Sequence, residues 1–327
     1  MPVDIRISTG GFFLFGGAGL GACISALETV SQRNLVWATA QYLSFAKTNE
    51  VVTIDVTLVV NGPQITQGRA VARVGDREIL TVNAALGDRK FDSTGQFATM
   101  PKVSSPEETP ARQHIRDSPG TIHESLQQRV VKGRTMEQLD GSLSDGNVVM
   151  WAHIPAMIED VDATALGILG DFVPMAIGQA LGLAAGGNSL DNTLRVVRLV
   201  PTEWVLLDIR IHAIDRGFAH GLVHMYAEDG TLMATASQSC IVRFWKDEVP
   251  KDAIIITNTW AIKKKPNGTY RSRINARGYE QVEGQHYDAD TKAAPVVNEI
   301  TVHIVFVLIA MTGWYAELLD VKGAWRI

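Results

Sequence analysis

The chain has 327 residues, 46% of them hydrophobic and 20% charged, and carries a net charge of −5. That is the composition of a globular protein of two or three domains, and the acidic balance gives no chain-wide case for nucleic-acid binding. Its two cysteines, Cys23 and Cys240, each lie inside an apolar run, which argues against a disulfide framework and for a reducing compartment.

No basic segment followed by a continuous apolar stretch opens the chain, so no signal peptide is expected. The first strong element is a glycine-rich apolar segment over 12–30, which reads as a helix entered through glycines. Strand-like runs follow at 35–45 and 50–61, then a hairpin with arms at 67–74 and 78–86 turning at Gly75-Asp76-Arg77. Residues 87–125 are polar and proline-rich and read as a linker or long surface loop. Two further strands are expected near 126–132 and 148–154.

The stretch from Asp162 to Gly182 is the second strong element: an apolar helix rich in small residues, suited to close packing on a sheet. Asp171 sits in the middle of it, where a carboxylate needs either a partner or a task. Because Phe172-Val173-Pro174 follows, an N-cap role is the plain alternative to a catalytic one. Strands are then expected at 192–200 and 203–215, and a hairpin with arms at 218–227 and 231–245 turning at Glu228-Asp229-Gly230.

The order helix, strand, strand, hairpin therefore occurs twice. An offset of 153 positions pairs Gly17 with Gly170, Glu50 with Glu203, Asp55 with Asp208, Gly68 with Gly221 and Asp76 with Asp229. An internal duplication accounts for this. A helix followed by antiparallel strands is an α+β unit, and two copies can join their sheets edge to edge. At the same offset Asp171 falls on Ala18, Ser189 on Val36 and Gln238 on Ala85. A scaffold repeated twice needs its apolar framework twice, but an active site needs its polar groups only once.

These features together resemble the acyl-CoA thioesterase II-like proteins of double-hotdog fold over about residues 5–246. The resemblance rests on Leu-Phe-Gly-Gly-Ala-Gly-Leu-Gly at 14–21, Gly170-Asp171-Phe172-Val173-Pro174, Asn188-Ser189-Leu190-Asp191, and the segment 227–238 ending in Gln238. It implies an α+β double hotdog hydrolysing acyl-CoA to free fatty acid and coenzyme A. Asp171, Ser189 and Gln238 would activate water, and Gly16, Gly17 and Gly19 would let the substrate approach the backbone closely. Coenzyme A enters as part of the substrate, and no cofactor or metal is expected. The alternative is a non-catalytic hotdog protein that binds acyl groups. Gly17-Ala18-Gly19-Leu20-Gly21-Ala22 also fits a dinucleotide fingerprint, but successive strands follow it rather than a βαβ unit, and no acid stands near position 42.

From about Lys251 the character changes. Trp260-Ala261-Ile262 with Lys263-Lys264-Lys265, Ala276-Arg277-Gly278-Tyr279 and Gly313-Trp314-Tyr315, running on to Asp320 and Trp325, resemble the reverse transcriptase of Copia-type retrotransposons over 254–327. In that family an aspartate at the position of Asp320 binds a catalytic metal, and an Asp-Asp pair further on completes the site. The sequence stops at Ile327, so no polymerase activity is expected, and nucleic acid is an unlikely partner, the remnant reading being kept only as an alternative. The apolar run 300–311 is too short to span a bilayer, which takes about 20 residues. The expected organisation is an N-terminal hotdog at 1–88, a linker at 89–125, a C-terminal hotdog with the polar site at 126–248, and a reverse-transcriptase fragment at 249–327. A cytoplasmic protein is expected, with no membrane partner and with hotdog sheets that leave room for homo-oligomers.

Overall fold

Helix α1, Gly16–Ser31, carries glycine at 17, 19 and 21, a poor choice for a helix on propensity alone. Packing explains two of them. A methyl group at Gly17 would lie 2.6 Å from the Ile168 carbonyl oxygen, and one at Gly21 3.0 Å from that of Thr164. Both carbonyls belong to helix α3, Ala163–Leu169, so α1 and α3 touch backbone to backbone. The computed structural model in which these contacts occur describes residues 1–112, 119–154, 161–244, 258–264 and 270–276.

The strands of the first half are β1 Leu35–Tyr42, β2 Thr53–Asn61, β3 Ile65–Val74 and β4 Arg77–Gly87. A single helical turn, α2 Ile122–Ser125, leads into β5 Gln127–Lys132 and β6 Asn147–His153. After α3 come a 3-10 turn at Gly170–Phe172 and helix α4, Val173–Leu181. Then follow β7 Ala185–Ser189, β8 Asp191–Val196, β9 Val205–Asp215, β10 Phe218–Ala227 and β11 Leu232–Phe244. The long helix expected from Asp162 to Gly182 is thus broken at Asp171. Pro174 has no N–H to donate back to the Gly170 carbonyl, so the first helix ends and a second begins. Asp162 caps the first of them, its carboxylate accepting from Ala165 N at 2.7 Å.

The strands form one antiparallel sheet of 11 strands in the order β2-β3-β4-β1-β8-β11-β10-β9-β6-β5, with β7 paired to β11. The order β1-β4-β3-β2 of the first half is repeated as β8-β11-β10-β9 in the second. Helix α1 packs on the first set and α4 on the second, so each half is a helix wrapped by a sheet: a double hotdog. The halves join where β1 pairs with β8, which removes two exposed edges.

That junction fixes the symmetry. Thr39 pairs with Thr193, Ala38 with Leu194 and Ala40 with Asn192. A two-fold axis through the Thr39–Thr193 pair relates Ala38 to Asn192 and Ala40 to Leu194. The structural offset here is therefore 154, one more than the sequence comparison gives. It is 153 across β2/β9 and β3/β10, where Gly68 pairs with Ala84 as Gly221 pairs with Gln238. It returns to 154 in β4/β11, because the turn Glu228–Gly230 has one residue more than the turn Gly75–Asp76. The counterpart of Gln238 is thus Ala84 rather than Ala85. The counterpart of Ser189, which pairs with Cys240 as Leu35 pairs with Leu86, is Leu35 rather than Val36. The contrast of polar against apolar survives the correction.

One buried cluster, including Leu20, Ile24, Leu27, Val82, Leu166, Val173 and Met225, runs through both halves between helices and sheet. A second lies on the outer face of the second half: Val149, Trp151, Trp204, Leu206, Tyr226 and Leu232 are covered by Ala98, Met100 and Val103. The segment expected as a linker or long surface loop packs here as a strap. Trp151 Nε1 donates to Ser104 O at 2.9 Å, and Leu232 N donates to Gln96 Oε1 at 2.7 Å. The helical stretch Ala163–Leu181 is apolar enough to cross a bilayer, yet 72% of it is buried inside the fold, as suits the core of a hotdog.

Residues beyond 247 make a separate unit. Its described part is a hairpin of β12, Asn258–Lys264, and β13, Tyr270–Ala276, which places Lys263 and Lys264 on β12. Lys265 and Asp320 lie outside the described residues.

Candidate active site

Asp171 lies in the 3-10 turn between α3 and α4 with φ −93° and ψ 33°, off the helical path, and is 7% exposed. It does not cap the helix that follows, whose N-cap is Phe172 without a side-chain bond. It serves the other half instead: Gly17 N, in the first turn of α1, donates to Asp171 Oδ2 at 2.7 Å. A carboxylate at a helix N-terminus meets unpaired N–H groups and the positive end of the helix dipole.

The opposite oxygen, Oδ1, faces the second-half sheet. Ser189 Oγ donates to it at 3.1 Å. Gln238 Nε2 donates to Oδ1 as well, and to Ser189 Oγ at 3.0 Å. Ser189 ends β7, and between it and Thr193 the pairing to β11 slips by one residue, from Ser189↔Cys240 to Thr193↔Ser237. Such a bulge re-aims a side chain. Gln238 is 3% exposed and points inward from β11. Burial raises the Asp171 pKa from 3.8 to about 6, against the lowering by the bonds from Gln238, Gly17 and Ser189. The group is therefore a carboxylate that can hold or release a proton near neutrality.

The three residues expected to be catalytic are thus brought together. Gly16 and Gly17 adjoin them: a methyl group at Gly16 would sit 2.6 Å from Asp171 Oδ2, and one at Gly17 2.9 Å from Asp171 Cβ. Gly19 is not part of the cluster and faces Leu80 and Leu14. The close approaches at Gly16 and Gly17 are made by Asp171 itself. Tyr42 and Asn192, which sequence reading passes over, also stand here. The phenol ring lies 3.2 Å from the same point above Gly16, and Asn192 is fully buried on β8. The contrast between the halves marks them: the two-fold axis through the Thr39–Thr193 pair relates Asn192 to Ala38 and Tyr42 to Val196, polar on one side and apolar on the other.

A cavity of about 420 Å³ bounded by Ala152, Ile154, Val161, Ala165 and Leu169 holds none of the three side chains. The convergence of buried polar groups, not open volume, marks the site. Among the described residues, no three His, Cys, Asp or Glu side chains are grouped as metal ligands.

Comparison with known proteins agrees with this architecture. Residues 3–87 match the family model for the acyl-CoA thioesterase N-terminal domain, and residues 101–242 the model for the acyl-CoA thioesterase C-terminal domain. Residues 244–326 match the model for reverse transcriptase, an RNA-dependent DNA polymerase. Among solved structures, a provisionally assigned thioesterase from Novosphingobium aromaticivorans is 27% identical, with 74% of this chain and 92% of that one covered and a TM-score of 0.65. An acyl-CoA thioesterase II from Mycobacterium marinum is 18% identical, with coverage of 72% and 92% and a TM-score of 0.58. A hotdog-fold protein of unknown function from Alicyclobacillus acidocaldarius is also 18% identical, with coverage of 74% and 91% and a TM-score of 0.66. The last two speak to the fold alone. No curated protein matches the chain. Two thioesterase domain models in tandem, laid over one helix-wrapped sheet each, place the chain in the acyl-CoA thioesterase II-like, double-hotdog family, with a reverse-transcriptase segment following it.

Proposed function

We propose that the chain hydrolyses acyl-CoA thioesters to a free fatty acid and coenzyme A. The observation that carries this reading is the buried Asp171, bound on Oδ1 by Ser189 and Gln238 and raised to about 6. Ser189 and Gln238 fix the carboxylate, and Oδ2, which among the described residues accepts only from Gly17, is the basic oxygen. Water attacks the thioester carbonyl carbon while Asp171 takes one of its protons, a contribution of about 10²–10⁴-fold for a positioned general base. First-turn N–H groups of α1 at Gly16 and Ala18, which have no partner within the helix, would bind the oxyanion. The C–S bond then breaks, and the thiolate leaves with the proton that Asp171 holds. A thiolate is a good leaving group, so the sequence of steps needs neither metal nor cofactor.

Free thiol released from a series of acyl-CoAs by the full chain, and its loss in Asp171→Asn, tests the reading. A folded protein that releases no thiol from any chain length would overturn it. The second reading, acyl binding without turnover, is favoured by the burial of Asp171 and by its bond to the N-terminus of α1. It predicts binding of acyl-CoA that Asp171→Asn leaves intact. We also infer a cytoplasmic location from the two free, buried thiols, and homo-oligomers through the unpaired edge of β2. For truncations we divide the chain at 88, 125 and 248.

A further inference from the structure

The first half of the chain gives this site more than a backbone N–H. Six buried side-chain polar atoms among the described residues have no hydrogen-bond partner in the fold, and four of them cluster here: Tyr42 Oη, Asn192 Nδ2, Asn192 Oδ1 and Gln238 Oε1. Buried polar groups are ordinarily partnered by protein or by ordered water, so four orphans in one place define a polar binding point.

Strand register explains why they converge. Asn192 pairs with Ala40 of β1, and Tyr42 is two residues along on the same inner face. On the other side, the pairing of Thr193 with Ser237 puts Asn192 beside Gln238. Above this row sits the carboxylate. The point where a Gly16 methyl group would be is 2.6 Å from Asp171 Oδ2 and 3.2 Å from the Tyr42 ring, so the basic oxygen and the phenol face the same space. A methyl group on Gly170, beside Asp171, would lie 3.9 Å from Asn192 Nδ2. The phenol is near enough to Asn192 for its amide to act on it, although no well-formed hydrogen bond joins them.

The duplication supplies an independent observation. By the two-fold axis through the Thr39–Thr193 pair, Asn192 answers to Ala38 and Tyr42 to Val196. A hotdog core built from this sequence is thus satisfied by apolar residues at both places. Polar ones occur only on the side where Asp171, Ser189 and Gln238 are.

We propose that Tyr42 and Asn192, one from each half, are positioning residues that hold the hydrolytic water against Asp171 Oδ2. The phenol donates to the water, and the water donates to Oδ2 and to Asn192 Oδ1. This rests on the hydrolase reading above and adds two residues to it. Burial first, and then the charge of Asp171, hold the Tyr42 pKa well above its ordinary value, so the phenol stays a donor throughout the working range. The other titratable groups in reach are Cys23 of α1, Cys240 of β11 and Asp191 of β8. Burial pushes both thiols up to about 12, so they are neutral near pH 6, and Asp191 accepts from Ser239 N at 2.8 Å.

The test uses the full chain with Tyr42→Phe, which is isosteric, and Asn192→Ala, which restores the residue found in the other half. Two quantities are read: acyl-CoA turnover, and the titration of the Asp171 carboxyl carbon by NMR. Each variant should lower kcat about tenfold or more with KM changed less than about twofold, as loss of an interaction made to the reacting water requires. Each should also raise the Asp171 midpoint, because the water that donates to the carboxylate is no longer held in place. Wild-type kcat and an unmoved midpoint in both folded variants would overturn the proposal and leave the hydrolase reading standing. Absence of turnover in the wild type would instead sink the hydrolase reading, and the carboxyl titration would then decide by itself whether Tyr42 and Asn192 bind water at Oδ2.

Discussion

Lowering the pH from 7 to 5 is the perturbation that the site answers most sharply. With an Asp171 pKa of about 6, the ionised fraction falls from about 90% to about 10%, so kcat/KM for acyl-CoA hydrolysis should fall about tenfold. A carboxylate at its unshifted 3.8 would lose less than about a tenth of its ionised form over the same range. Stability carries the same signature with opposite sense. The folded pKa lies above the unfolded one, so the folded state holds the proton more tightly. The resulting stabilisation is fully present below about pH 4 and is lost as pH rises through about 6. A net shift of this size, in which burial outweighs the bonds from Gln238, Gly17 and Ser189, corresponds to about 3 kcal/mol. The assay pairs initial rates of thiol release with thermal unfolding from pH 4.5 to 7.5, in wild type and Asp171→Asn. The substitution should abolish most of the rate and flatten the pH dependence of Tm. A wild-type rate unchanged between pH 5 and pH 7, or a rate surviving in Asp171→Asn, would refute the assignment of the base.

Ser189→Ala removes a donor to Oδ1, so the acid limb of the rate profile should move to higher pH and kcat should drop about tenfold; Ser189→Thr, which keeps the hydroxyl, should restore both. Gly17→Ala places a methyl group 2.6 Å from the Ile168 carbonyl oxygen, and since backbone cannot yield cheaply, an unfolding free energy lowered by about 1–3 kcal/mol is expected by denaturant titration. Trp151→Ala takes away both the bond to Ser104 O and a large member of the apolar cluster under the strap; limited proteolysis should then cut between 88 and 112 well before the hotdog core, whereas wild type resists there. Cys23 and Cys240, buried and pushed up to about 12, should ignore a thiol reagent at pH 8 until the protein is denatured.

Alternation of apolar residues, together with the Asp-Gly turn, made most strands of the sheet legible in the sequence, and the arms at 218–227 coincide with β10. The duplication was legible too, because paired glycines and turn residues recur at a nearly constant spacing. What the sequence comparison could not show was the extra residue in the second hairpin turn, which moves the counterpart of Gln238 by one place and with it the face on which that counterpart lies. Strand β7 was missed because Ala185-Gly186-Gly187-Asn188-Ser189 has no strand propensity; its pairing to β11 makes it a strand. The packing of the strap, read as a linker or long surface loop, was not visible since Ala98, Met100 and Val103 are too few and too widely set among polar residues to signal a buried face. Asp171 was recognisable as a buried carboxylate, but its bond to Gly17 spans 154 positions and depends on the two halves meeting. Tyr42 and Asn192 were invisible for the same reason.

The joining of β1 to β8 within one chain has a consequence for how such a site can evolve. In a dimer of identical hotdogs, every substitution appears at both ends of the shared axis, so a polar group placed beside one helix is also forced beside the other. Tethering the two copies frees each to keep what the other discards. Leu35, Ala38, Ala84 and Val196 fill with hydrocarbon the positions that Ser189, Asn192, Gln238 and Tyr42 occupy around Asp171. One end of the molecule can thereby serve as ballast for the other, and its assembly no longer depends on how dilute the protein becomes.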